Sequence, residues 1–457
     1  MLKDRYGNPM STSSQSAVEK FNHACELIRL YRGDPIAALD AAIEDDPDCA
    51  MAWAARAGVL VQQEDKAYAQ EAERSIRAGV AADGNERERS HLAAAELWLD
   101  GRIHDATVAF ARIGQDHPRD LIAIQGAHLG CFYTGRQSDL RDWPLQALRA
   151  FRKGDDGRHA VLGMAAFGAE ECGDYARAEA LGREAVALEP RDAWAVHAVA
   201  HVNEMRGDVK NGIPWLRDSA ESWAPDCGFA FHNWWHLALL NLDAGAMEEV
   251  LKLYDSKVRR DDPSSLLLEW IDASALLWRL RLEGVDVGAR WQSLAASWER
   301  AAEDGFYAFN DLHAIMAFLG AGRSNDVARA LAAMKRAAAE TSDNGSMTRA
   351  VGLPLAEAFV AFDAGRFAET VEKIGAVRGI AQRFGGSHAQ RDILSLTMLH
   401  AAIRAGMKPV AEALAAERLA HKPESPWARA LSQRAAAIGT RAAALIQPPA
   451  VTLGIHG

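Results

Sequence analysis

Four histidines and a glutamate near the middle of the chain have the spacing of a site. "WAVHAVAHVNEMRGD" carries His197, His201 and Glu204, and "FHNWWHLALLNLDAG" carries His232 and His236. On a helix, residues i and i+4 share a face and i+7 stays close to it. His197, His201 and Glu204 therefore form one stripe, which Trp194 extends by a turn. Imidazole beside carboxylate can move protons, so His197, His201, Glu204 and His232 are the candidate catalytic groups, with a histidine or Glu204 as general base. His197, His201 and His232 could equally ligate a divalent metal, zinc or iron. No HExxH occurs, and His236 falls one step round from Trp235, off the shared face. Trp194 and Trp235 would wall in an apolar part of a ligand. The bland alternative is packing, in which buried imidazoles and carboxylates satisfy one another.

Two later stretches add polar groups. "FNDLHAIMAF" puts Asn310, Asp311 and His313 at a helix start. Asn or Asp there is first of all a cap, with Asp311 and His313 able to orient groups at a ligand. In "RFGGSHAQRD", Gly385 and Gly386 free the backbone, Ser387 can cap, and His388 and Arg391 occupy the first turn. A helix opened in this way and followed by arginine can take an anionic portion of a ligand. The competing reading is a capped loop with Arg391 and Asp392 as a surface pair. His236, Asp311, His313, His388 and Arg391 thus join Trp194 and Trp235 as candidate substrate-binding residues. No Walker sequence, GxGxxG after a strand, or GxSxG elbow occurs, which argues against nucleotide binding and serine-hydrolase chemistry.

The elements that must position these residues are punctuated by glycine. Gly101, Gly135, Gly173, Gly207, Gly245, Gly284, Gly322, Gly365 and Gly406 follow one another at 34 to 43 residues. Gly33 stands two periods before Gly101, so a turn near residue 67 has lost its glycine. Each glycine follows one helix-like pattern and precedes another, as a left-handed helix end requires. Pro47, Pro118 and Pro190 stand where a second helix must stop. A fixed period in this range is the mark of a helical-hairpin solenoid.

"GDYARAEALGREAVALEP" and "GRIHDATVAFARIGQDHP" resemble tetratricopeptide repeats through Gly173, Tyr175, Ala178, Ala185 and Pro190, and through Gly101, Ala106, Phe110 and Pro118. "HAVAHVNEMRGD", "HNWWHLALLNLDAG", "LLWRLRLEG", "FNDLHAIMAF" and "GGSHAQRD" together resemble the tetratricopeptide repeat protein 38-like family, over most of residues 20 to 430. The resemblance implies a fold and gives no chemistry. It implies that Trp194, His197, His201, Glu204, His232 and Trp235 face a concave groove.

The expected fold is an all-α right-handed superhelix of about eleven hairpins, a single solenoid over residues 17–440. Residues 1–16 and the tail 441–457 are expected to be loose. The net charge of −11 argues against a general nucleic-acid binder. Five scattered cysteines without a C-x-x-C pair fit a reduced, cytoplasmic setting. No apolar run is long enough to span a membrane. Two functions stay open, with the oligomeric state open as well. One is a small-molecule site in the concavity, hydrolytic or metal-assisted. The other is a non-enzymatic scaffold whose groove receives a peptide or partner helix.

Overall fold

The computed structural model describes residues 1–259 and 266–440. The described residues are all-α except for one short hairpin at the start of the chain. Eleven helical hairpins run in sequence among the described residues, from Gln15–Leu30 with Pro35–Asp45 to His388–Arg404 with Lys408–His421. Helix Pro426–Ala437 follows the last of them. Helices pack mainly on their neighbours in sequence, as expected when no single hairpin can bury its own apolar face.

All of the predicted turn glycines lie between helices with positive φ, from 55° at Gly33 to 81° at Gly245. There the residue after the helix must turn left-handed, and glycine does so without a Cβ penalty. The turn predicted to lack its glycine uses Glu64 instead, at φ 50°. Pro47, Pro118 and Pro190 each follow a helix end within two residues, because proline has no N–H to continue the ladder.

By packing, the described residues form two compact units, where the sequence was read as one solenoid. The first comprises Met1–Val202 with Ser219–Ala230, and the second Asn203–Asp218 with the described chain from Phe231 on. In the first unit, Gly168 lets helix Arg158–Glu171 press against Gln137–Ala147, since a Cβ there would stand 2.3 Å from the Leu140 carbonyl oxygen. The segment Ser219–Ala230 returns to the first hairpin, where Gly228 N donates to Tyr31 O at 2.7 Å.

Residues 1–16, expected to be loose, are docked in the first unit. Leu2–Lys3 pairs antiparallel with Pro9–Met10. Asp4 accepts from the N–H groups of Tyr6 and Asn8 at 2.9 and 2.8 Å. Met10 is fully buried beside Val18 and Phe21. Ser11 N donates to Glu88 at 2.8 Å, and Arg87 to Pro9 O at 3.0 Å. One apolar anchor and these polar bonds offset the ordering entropy of the segment. The tail 441–457, also expected to be loose, lies outside the described residues.

In the second unit, Trp278 packs on Phe359 at 4.9 Å and Trp270 on Trp298 at 5.5 Å. All five cysteines are free thiols. No helix among the described residues is long and apolar enough to cross a membrane.

Candidate functional site

Helix Ala193–Arg206 carries Trp194, His197, His201 and Glu204, as their spacing predicts. In the first unit the rings of His197 and His201 stand edge-on, 4.3 Å apart. Trp194 is 5.1 Å from His197 and is flanked by Tyr31, Phe167 and Phe229 at 5.1 to 5.7 Å. Trp194, His197, His201, Glu204, His232 and Trp235, expected to face a concave groove, are all buried, from 0% to 7% exposed. His201 Nδ1–H donates to Glu170 Oε2 at 3.1 Å. Glu170 and Glu171, both buried, end helix Arg158–Glu171. His201, Glu170 and Glu171 can each bring one ligand atom to within 4.8 Å of the others.

In the second unit, helix Ala230–Asp243 carries the other pair. His232 stacks on Trp235 at 5.2 Å, and His236 stands 4.8 Å from both rings. His232 Nδ1–H donates to Asp272 Oδ2 and His236 Nδ1–H to Glu204 Oε2, each at 2.7 Å. The sequence placed His236 off the shared face, but it is the histidine that reaches Glu204. A packed helix face is wider than one stripe, and i+4 from His232 stays within it.

Three of the four histidines therefore share one device. A carboxylate on another helix takes Nδ1–H, which fixes the tautomer and makes Nε2 the basic nitrogen. Metal-binding histidines and general-base histidines are oriented in this way.

Glu204 also has Lys422 Nζ at 3.7 Å, and Lys422 lies 3.8 Å from Asp392. Arg418 grips Asp392 through two bonds of 2.6 and 3.1 Å. Burial would raise the Asp392 pKa, but Arg418 and Lys422 outweigh it and hold the carboxyl well below the usual range. Asp392 is thus no surface partner of Arg391. The Arg391 guanidinium turns back on its own loop and donates to the Gly385 and Gly386 carbonyls. Ser387 caps helix His388–Arg404 in a capping box with Gln390, so the loop is closed by its own polar groups. His388 is half-buried beside it.

Asn310 and Asp311 do not cap helix Ala308–Gly320, whose cap position is Tyr307. Asn344 does that work, accepting from Ala308 N and donating to Gly305 O, both at 2.9 Å. Asp311 is buried, and burial reinforced by Asp304 pushes its pKa up to about 8. His313 Nδ1–H donates to Phe309 O at 2.7 Å, and burial lowers its pKa to about 4. His313 is therefore neutral near pH 7.

Sequence reasoning missed Glu170, Asp272, Arg279, Arg418 and Lys422, and read Asp392 only as a surface partner of Arg391. A signal for the first two existed. His201–Glu170, His236–Glu204 and His159–Asp192 are 31, 32 and 33 residues apart. His232–Asp272 spans 40. These separations are close to one repeat, so a carboxylate one period from each histidine could have been sought.

No family model matches the sequence. A chain from a solved structure, described as the crystal structure of the APC/C hetero-tetramer Cut9-Hcn1, is similar over 92% of this chain and 76% of that chain. Its identity is 13% and its TM-score 0.42. A likeness this weak carries nothing over to this chain. The hairpins themselves define the class: an all-α helical-repeat protein.

Proposed function

We propose that this chain is a helical-repeat binding scaffold, whose hairpins receive a peptide or partner helix. The observation that supports it is the run of eleven hairpins among the described residues. Such arrays present repeated helix faces to partners. The reading is tested by probing a peptide array with the purified chain, confirming hits by calorimetry and mapping them by hydrogen exchange. Saturable binding with protection confined to exposed helix faces is expected. Binding that fails to saturate, or leaves no footprint, overturns it. Membership of the tetratricopeptide repeat protein 38-like family is part of this proposal and rests on the sequence stretches given above.

A second reading has its own observation, the carboxylate-oriented imidazoles of His201, His232 and His236. In this reading the protein binds a small polar molecule or a divalent metal such as zinc or iron. An Nε2 nitrogen, or Glu204, would serve as base if a hydrolytic step follows. Elemental analysis and native mass spectrometry of the purified protein test it, on the parent and on His201→Ala and His236→Ala. A retained metal or small molecule that is lost in the variants is expected. Variants that lose stability while no ligand is ever retained would make the histidines structural.

A further inference from the structure

The end of helix Arg158–Glu171 brings two carboxylates together where a helix least favours them. Glu170 and Glu171 are its last two residues, and they are 0% and 3% exposed. A helix C-terminus carries partial negative charge, which stabilises cations and opposes anions. Two neighbouring carboxylates add charge of the same sign, and buried charge must be paired or bound to a metal.

The next repeat supplies a third group. His201, buried on helix Ala193–Arg206, places Nδ1 3.1 Å from Glu170 Oε2. One ligand atom each from Glu170, Glu171 and His201 lies within 4.8 Å of the other two. An ion about 2.1 Å from each of three atoms holds them at most about 4.2 Å apart. Closing this set around an ion therefore takes a shift of about half an ångström. The pair at 3.1 Å already has the spacing of adjacent ligand atoms.

The three groups are also held in direction. Gln137 Nε2, at the start of helix Gln137–Ala147, donates to Glu171 Oε2 at 3.4 Å. The Phe167 ring packs edge-on against His201 at 5.2 Å. Metal ligands keep their orientation through supports of this kind. Cys172 donates its thiol to Gln137 O at 3.2 Å and stays out of the set. Just beyond it Gly173 and Asp174 are exposed, so the helix end gives an ion a short way in.

We propose that Glu170, Glu171 and His201 bind one divalent transition-metal ion of the zinc, iron or manganese type. The imidazole favours these over calcium and magnesium, and copper(I) calls for sulfur ligands. The ion takes the place of the proton between Nδ1 and Oε2. That proton moves to Nε2, so the imidazole stays neutral. Three protein ligands leave further coordination positions to water or a bound molecule. This rests on the metal-binding form of the second reading above and assigns it a ligand set in the first unit.

The test strips the full chain with a chelator and titrates it calorimetrically with zinc, iron(II), manganese, magnesium and calcium salts. One zinc ion per chain should bind, with magnesium and calcium at least about a hundredfold weaker. Glu171→Gln keeps the shape of the side chain and removes its charge. It should weaken zinc at least about tenfold. The stripped variant should unfold no earlier than the stripped parent, because a buried charge that the helix end opposes is gone. Should Glu171→Gln fail to fold, Gln137→Ala at a half-buried position only frees the Glu171 carboxylate, and should weaken zinc about tenfold. Zinc that binds the parent and the folded variant equally well overturns this ligand set and leaves the metal reading standing. Magnesium or calcium that binds as tightly as zinc overturns the metal class. If no ion binds while native mass spectrometry of the isolated protein retains another molecule, the proposal falls and the ligand-binding reading stands. If nothing binds and nothing is retained, both fall.

Discussion

Glu64 occupies a place that glycine holds in the other hairpin turns. Its φ of 50° is left-handed, a region costly for a side chain, and its carboxyl is buried. Trp98 Nε1 donates to Oε1 at 2.8 Å, and Trp98 packs edge-on against Tyr133 at 5.9 Å. Burial pushes the Glu64 pKa up to about 8, with the Trp98 bond opposing it. A raised pKa means that the folded state favours the protonated form. The stability this contributes is complete below the ordinary carboxylate pKa of 4.5 and is lost as pH rises through about 8. Glu64→Gln should therefore gain on the parent steadily across that window and level off above it, by a few kcal/mol in all. Thermal unfolding from pH 4 to pH 9 measures the gap, and a constant gap would refute the buried acid. Asp311→Asn should behave the same way, because Asp311 is also pushed up to about 8.

At the scale of elements, the turns were legible because a left-handed residue after a helix is a local demand that the sequence must meet locally. The hairpin count followed from their period, and even the missing glycine was visible as a gap of two periods. Side-chain partners were less legible. The Glu170 and Asp272 bonds join helices about one repeat apart, and periodicity within one helix says nothing about a neighbour. The cap on Ala308–Gly320 was misread for a similar reason: Asn344, from a later helix, supplies what Asn310 was expected to supply. The turn glycines also differ in a way that the sequence hides. A Cβ on Gly365 would meet nothing within 4 Å, whereas one on Gly207 would stand 2.6 Å from the Ser425 backbone nitrogen. Gly365→Ala should then cost only the left-handed strain, about 1 to 2 kcal/mol. Gly207→Ala adds a collision with backbone and should cost distinctly more. Chemical denaturation of both variants decides it, and equal losses would mean that the Gly207 contact relaxes freely.

For the molecule as a whole, neighbour-to-neighbour packing makes stability a sum of hairpins and their interfaces, so damage should stay local. The end of the second unit offers the test. Among the described residues helix Pro426–Ala437 has no hairpin partner of its own, and two carboxylates tie it down. Asp243 accepts from the Ser425 hydroxyl at 2.6 Å and from Trp427 N at 3.1 Å. Glu283 accepts from Trp427 Nε1 at 2.8 Å and from Arg434 at 2.9 and 2.7 Å, with His400 Nε2 at 3.2 Å. Burial would raise the Glu283 pKa, but His400 and Arg434 outweigh it and hold the carboxyl well below its ordinary range. The sign follows: this contribution is present above the ordinary carboxylate pKa and is lost as pH falls below it. Glu283→Ala leaves the Trp427 and Arg434 donors without their acceptor, at a cost of about 3 kcal/mol. Hydrogen exchange at pH 7 should then show lost protection in Pro426–Ala437 and in the facing part of His388–Arg404. Helix Ser324–Ala337 of the same unit should keep its protection. Exchange rising equally in all three would show that the unit opens as one cooperative block, in which the hairpin whose first helix ends at Glu283 and the next one, which carries Ser324–Ala337, open together.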